Sequence, residues 1–191
     1  MTTTATALGT IERSKLTGEY TLDPTHSRIG FVARHAVVTK VRGQFRDFEG
    51  TLILNGDDPA RSGAQVTIQA TSIDTGQADR DAHLRSNDFF DMDEFPEITF
   101  SATAIVPDSE TEYKVTGDLT MRGVTKPVTV DIEFLGATID PFGNERVGFE
   151  GSVRVNRKDW GINWNAALEA GGMLVSEKVT LEFEIAAIKA N

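Results

Sequence analysis

The chain contains no cysteine among its 191 residues. That excludes a disulfide frame, a thiolate metal site and a cysteine nucleophile. Positive charge is also scarce: 19 Lys and Arg against 29 Asp and Glu give a net charge of −10. Nucleic acid needs clustered basic residues, so this balance argues against it, and against anionic membrane surfaces. No run of about 18 apolar residues occurs that could span a bilayer as a helix. The opening MTTTATALGTIERSKLTG lacks the apolar core of a secretory signal, so a cytoplasmic location is expected. These residues are small and polar, and residues 1–16 are expected to form a flexible tail ahead of a single domain over residues 17–191. Nucleophile elbows, phosphate loops and dinucleotide fingerprints are absent too.

What the chain has is alternation. Ile29, Phe31 and Ala33 share one face. Val66 and Ile68, then Ile98, Phe100, Ala102 and Ala104, then Tyr113, Val115, Gly117, Leu119 and Met121 do the same. Val128, Val130, Ile132 and Phe134, then Val147 to Val155, then Val179 to Ile185 complete the pattern. Polar residues fill the intervening positions. Period-two alternation over eight or nine segments with short turns predicts antiparallel strands with one dry face, in a sandwich or a closed barrel. The strands are long, which a barrel of tilted strands accommodates, and about eight strands leave room for one small ligand. The parity shift between Phe45 and Phe48 predicts a bulge or bend.

Residues 78–100 break the pattern. Asp79, Asp81, Ala82, Leu84 and Arg85 read as a short helix with acidic residues at its N-terminus. Phe89 and Phe90, an acidic patch and Pro96 come next. A helical plug among strands suits the lid of a barrel, or an ordinary surface helix anchored by the two phenylalanines. Residues 160–174 are a second segment without alternation, holding Trp160, Trp164, a glycine pair and Met173. It reads either as a second closure over a pocket or as a loop whose tryptophans cap the core.

The inward rows mix rings (Phe31, Phe100, Phe134, Phe149, Phe183) with small residues (Ala33, Ala70, Ala102, Ala104, Gly117, Gly151). Clustered small residues would leave an apolar hollow suited to a long hydrocarbon; interdigitated ones would fill the interior. Three histidines are present. His26 and His35 point to opposite faces if they share a regular strand. Asp79 and His83 stand at i, i+4 and could meet, most simply as a solvated pair. Neither a metal site nor catalytic residues are expected.

Several runs resemble the YceI-like family. They are Leu22-Asp23-Pro24-Thr25-His26-Ser27 with Phe31, Arg34-His35 and Val41-Arg42-Gly43-Gln44-Phe45; Asp79-Arg80-Asp81-Ala82-His83-Leu84-Arg85-Ser86 with Asp88-Phe89-Phe90-Asp91 and Phe95-Pro96; Val115-Thr116-Gly117-Asp118-Leu119-Thr120; Arg122-Gly123-Val124-Thr125-Lys126-Pro127-Val128; and Asn156-Arg157-Lys158-Asp159-Trp160-Gly161. In order they span nearly the whole chain. The resemblance implies an all-β fold, an antiparallel lipocalin-like barrel of about eight strands with a short helical insertion near one end. It implies binding of a long-chain isoprenoid or similar amphiphilic lipid in the cavity, often in a homodimer, with no established catalytic residues and no cofactor. Many relatives are exported, and this chain departs from them in lacking a signal sequence. Phe31, Phe45, Phe89, Phe90, Phe100, Trp160, Trp164 and Met173 are the expected cavity lining. Arg34, His35 and His83 are the expected polar contacts for a head group. The expected role is a lipid carrier without catalysis. The alternatives are a small-molecule enzyme using a histidine–carboxylate set, and an interaction module with a filled barrel.

Overall fold

The computed structural model describes residues 11–191. Alternating side chains there produce strands β1 Gly18–Leu22, β2 Arg28–His35, β3 Thr39–Phe45, β4 Phe48–Leu54, β5 Gly63–Gln69 and β6 Ile73–Asp74. The one α-helix among the described residues, α1 Ala78–Arg85, comes next, and then β7 Glu97–Pro107, β8 Glu112–Met121, β9 Val124–Ile139, β10 Glu145–Asn156 and β11 Lys178–Lys189. Strands β1, β4, β5, β7, β8, β9, β10 and β11 are neighbours in that order, and β1 pairs back onto β11 to close the ring. All pairings are antiparallel. Strand β2 continues the path of β1 along β11, and β3 continues that of β4, so the wall has eight staves. Closure leaves no ring edge open to another chain.

The break between β1 and β2 arises from Asp23-Pro24-Thr25-His26. One Asp23 carboxylate oxygen accepts the Thr25 backbone N–H at 3.0 Å, and the other meets His26 Nδ1 and Arg146 Nη1, each at 2.7 Å. Arg146 Nε reaches Asp140 Oδ2 at 2.6 Å and so ties the β9–β10 turn to this break. Burial disfavours the charged Asp23. The hydrogen bonds from Thr25, Arg146 and His26 more than offset it and hold that carboxyl well below the usual range. Asp140 is held low as well, mainly by Arg146.

The parity shift after Phe45 is the two-residue break between β3 and β4. Two further irregularities escape the pattern. Pairing slips between Ala102 and Ala104, so that Ile105, rather than Ala104, faces the lumen beyond it. Pairing also slips opposite Gly148 and Phe149, so that Ala137, rather than Gly136 or Thr138, is buried beyond it. The expected tail over residues 1–16 lies, for residues 1–10, outside the described residues. Its last part packs on the barrel: Leu16 is buried, Ile11 donates to the Ala137 carbonyl, and Arg13 donates to the Glu110 carbonyl at 2.8 Å. Apolar Ile11 and Leu16 have a dry wall to cover.

Candidate functional site

Inward side chains of nearly every stave surround a cavity of about 280 Å³. It runs along the barrel from Ala33 and Val175 at one end to Leu54, Gly63 and Ile105 at the other. Its wall is hydrocarbon, with Leu181, Phe183 and Ile185 of β11 on one side and Ile98, Phe100 and Ile105 of β7 opposite. The hollow stays open because rings lie flat on the wall. A Cβ on Gly43 would stand 2.3 Å from the Phe31 ring, and one on Gly117 would stand 2.4 Å from that of Phe100. Each glycine is the recess that lets its ring lie back from the lumen.

Helix α1 and the residues after it close one end. Gln77 caps the helix by accepting the Arg80 N–H, and buried Asp81 accepts from the Thr75 backbone N–H at 2.9 Å. The Ser86 hydroxyl accompanies the helix end, donating to the His83 carbonyl at 2.6 Å. The chain then turns so that Leu84, Phe89 and Phe90 line the cavity, which makes the segment a lid rather than a surface helix. Arg122 in the β8–β9 turn donates to the Phe89 carbonyl at 2.7 Å and pins it.

Of the eight expected lining residues, Phe31, Phe45, Phe89, Phe90 and Phe100 face the cavity. Trp160, Trp164 and Met173 do not. Trp160 is buried, but its indole N–H needs a partner and takes the Leu119 carbonyl at 2.9 Å, which turns the ring into the wall. Trp164 packs edge-on against His83 with ring centres 4.6 Å apart, and against Phe89 at 5.4 Å. Met173 rides a tight turn through Gly171 and Gly172, both at φ +90°, and is half exposed. The polar candidates also miss the lumen. Arg34 and His35 are exposed on the β2–β3 hairpin. His83 finds its carboxylate in Asp88, at 2.8 Å, rather than in Asp79, because the chain folds back after Ser86.

One charged residue at the cavity is absent from the expected set, although the alternation points to it. Arg157 continues the odd-numbered inward row from Val147 to Val155, is buried, and borders the cavity. Its guanidinium donates to the carbonyls of Ile162 at 2.6 Å, Ser176 at 2.8 Å and Val175 at 3.4 Å. Burial lowers its pKa, with Glu177 opposing. It thereby staples both ends of the loop over residues 161–177. Among the described residues no group of three or more His, Asp or Glu side chains is placed to hold a metal.

A closed eight-stave barrel with a helical lid and a hydrocarbon lumen matches a known family over most of the chain. Residues 20–187 fit the family described as the YceI-like domain. The chain belongs to the YceI-like family. The UPF0312 protein plu2095 of Photorhabdus laumondii is 41% identical over 159 residues, covering 82% of each chain. Among solved structures, Burkholderia cenocepacia BcnA superposes with a TM-score of 0.77 at 24% identity, over 86% of this chain and 98% of that one. A polyisoprenoid binding domain from Saccharophagus degradans, implicated in plant cell wall breakdown, superposes with a TM-score of 0.67 at 16% identity, over 90% and 98%. At these identities the two solved structures establish the YceI-like fold alone.

Proposed function

We infer that this YceI-like barrel carries or sequesters a long isoprenoid-type lipid in its lumen and performs no reaction on it. One observation carries the reading: a cavity of about 280 Å³, close to the lower edge of ligand-pocket sizes, walled by hydrocarbon. Each buried methylene contributes about 0.8 kcal/mol, so a five-carbon isoprene unit contributes up to about 4 kcal/mol. Three units supply about 12 kcal/mol before association costs, which supports micromolar binding or better. The description of the Saccharophagus neighbour as a polyisoprenoid binding domain agrees with this ligand class. The His83–Asp88 pair lines no part of the cavity, which weighs against a reaction inside the barrel. A lumen of this size weighs against a filled interaction module.

The test is mass spectrometry of the organic extract of purified protein, with titration of added prenols and prenyl quinones. Recovery of a prenyl lipid, or saturable binding of an added one, supports the reading. An empty extract together with no binding of either class overturns it.

A further inference from the structure

The β2–β3 hairpin differs in charge from everything around it. Residues 24–46 hold Arg28, Arg34, Lys40, Arg42 and Arg46 and no Asp or Glu, in a chain of net charge −10, so the rest carries −15. Arg28 and Arg42 lean toward Glu182, and Arg46 pairs with Asp74. Arg34 and Lys40 have no carboxylate partner among the described residues, and they face each other directly across the two strands. Like charges so placed destabilise a sheet. Beyond them the tip exposes Val37 by 60% and Val38 by 79%. Val37 is held at φ +69°, a left-handed conformation that β-branched residues avoid.

The tip adjoins the cavity. The Ala36 N–H donates to the Leu174 carbonyl at 2.7 Å, and a Cβ on Gly172 would lie 3.5 Å from Val37. These contacts set half-exposed Met173 beside the hairpin. His35 pairs with Val175, and Val175 and Ala33 are cavity wall. The facing loop, residues 165–174, carries one charge, Glu169.

We propose that this tip docks the protein on an anionic lipid bilayer, with Val37, Val38 and Met173 entering the interface and Arg34 and Lys40 meeting head groups. The proposal rests on the lipid-binding reading of the cavity, whose end it would bring to the bilayer. Three apolar side chains on a protruding tip are far fewer than the roughly 20–30 residues a side of a stable protein interface. A bilayer interface accepts such a tip, and basic residues beside it are drawn to anionic lipid. The acidic remainder is repelled, so the net charge that opposes membrane binding overall orients the molecule hairpin first.

The test is co-sedimentation of the full chain with vesicles of phosphatidylcholine, with and without about a third phosphatidylglycerol. Binding is expected only to the anionic vesicles, weakening at high salt. Arg34→Gln with Lys40→Gln is expected to lower partitioning about 25-fold, about fivefold per charge. It removes the cross-strand repulsion, so the melting temperature should hold or rise. Val37→Asn with Val38→Ser should also lower partitioning, and Asn accepts the backbone at 37. Binding of a prenol added from ethanol should be unchanged in both variants. Wild-type protein that ignores anionic vesicles while binding prenol overturns the docking and leaves the cavity reading intact. Vesicle binding without prenol binding supports the docking and fails the cavity reading. A concentration-dependent dimer abolished by the tip variants would overturn the docking, because the tip would then be a contact between copies.

Discussion

Gly43→Ala is the most direct probe of how the lumen is kept open. Gly43 sits opposite Phe31 in the β2–β3 register, and the new Cβ would meet the ring at 2.3 Å, its three nearest atoms all belonging to that ring. Ordinary contact begins at 3.4 Å, so the ring edge must move by about 1.1 Å or more. Phe45, with its ring centre 5.9 Å away, blocks one direction, and the lumen is the free one. A ring tilted inward takes the place of about two or three ligand methylenes. At about 0.8 kcal/mol each that is about 1.6–2.4 kcal/mol, or a 15- to 60-fold loss of affinity. Calorimetric titration with farnesol and geranylgeraniol reads the loss, which should be greater for the longer chain. The fold should hold, since replacing a strand glycine gains about 0.5–1 kcal/mol and local overpacking costs about 1–3 kcal/mol. The net, within about 2 kcal/mol, keeps the melting temperature within about 8 °C. If a crystal structure of the variant showed Phe31 displaced and both affinities unchanged, the lumen at that level would not be the binding site.

The polar staples give two further expected outcomes. Asp23 and Asp140 have carboxyls depressed in the folded state, so their stabilisation is complete above the ordinary carboxylate pKa near 4 and is lost as pH falls below it. Denaturant midpoints measured from pH 7 to 2 should drop below about pH 4, and Arg146→Met should flatten that drop; an equally steep drop in the variant would refute the assignment. Arg157→Met strips the donors from the Ile162, Val175 and Ser176 carbonyls and should cost about 3 kcal/mol or more, with Arg157→Lys intermediate. Hydrogen exchange should rise first in residues 161–177, and exchange raised evenly over the barrel instead would mean that Arg157 does not staple this loop.

Alternation makes the wall legible because a barrel repeats one rule, apolar inward, along every stave. Phe149, Val153 and Val155, and the row from Val179 to Ile185, face the lumen as their parity requires. The rule fails at a bulge, where one extra residue inverts the facing of every later position on the strand. Nothing in Ser101-Ala102-Thr103-Ala104 marks the slip that brings Ile105 inward. The rule is silent in loops, which have no period. Apolar character alone points Trp160, Trp164 and Met173 at the cavity, and the indole hydrogen bond to Leu119 and the glycine turn decide otherwise. Arg157 is readable from parity and obscured by its charge, since a buried guanidinium is expected only where acceptors await it. The three carbonyls that receive it come from a loop brought close by the fold.

The glycines carry the same lesson in energetic form. A hollow of 280 Å³, at about 24 cal/mol per Å³, corresponds to about 7 kcal/mol of lost packing, comparable to the whole stability of a typical domain. A helical core would relax into such a space. A closed barrel resists, because shrinking its girth would break backbone ladders on every stave. Rings free to swing inward could still fill the space, and Gly43 and Gly117 remove that escape by giving Phe31 and Phe100 a recess in the wall. Gly43 and Gly117 thus neither cluster into a void nor interdigitate across it. They sit beneath the Phe31 and Phe100 rings, and the room they provide lies along the barrel axis. A ligand restores the missing contacts, and at 100 times its dissociation constant it stabilises the folded state by about 2.7 kcal/mol. On the lipid-binding reading, the unfilled space that weakens the barrel is also what a hydrocarbon ligand would gain by entering it.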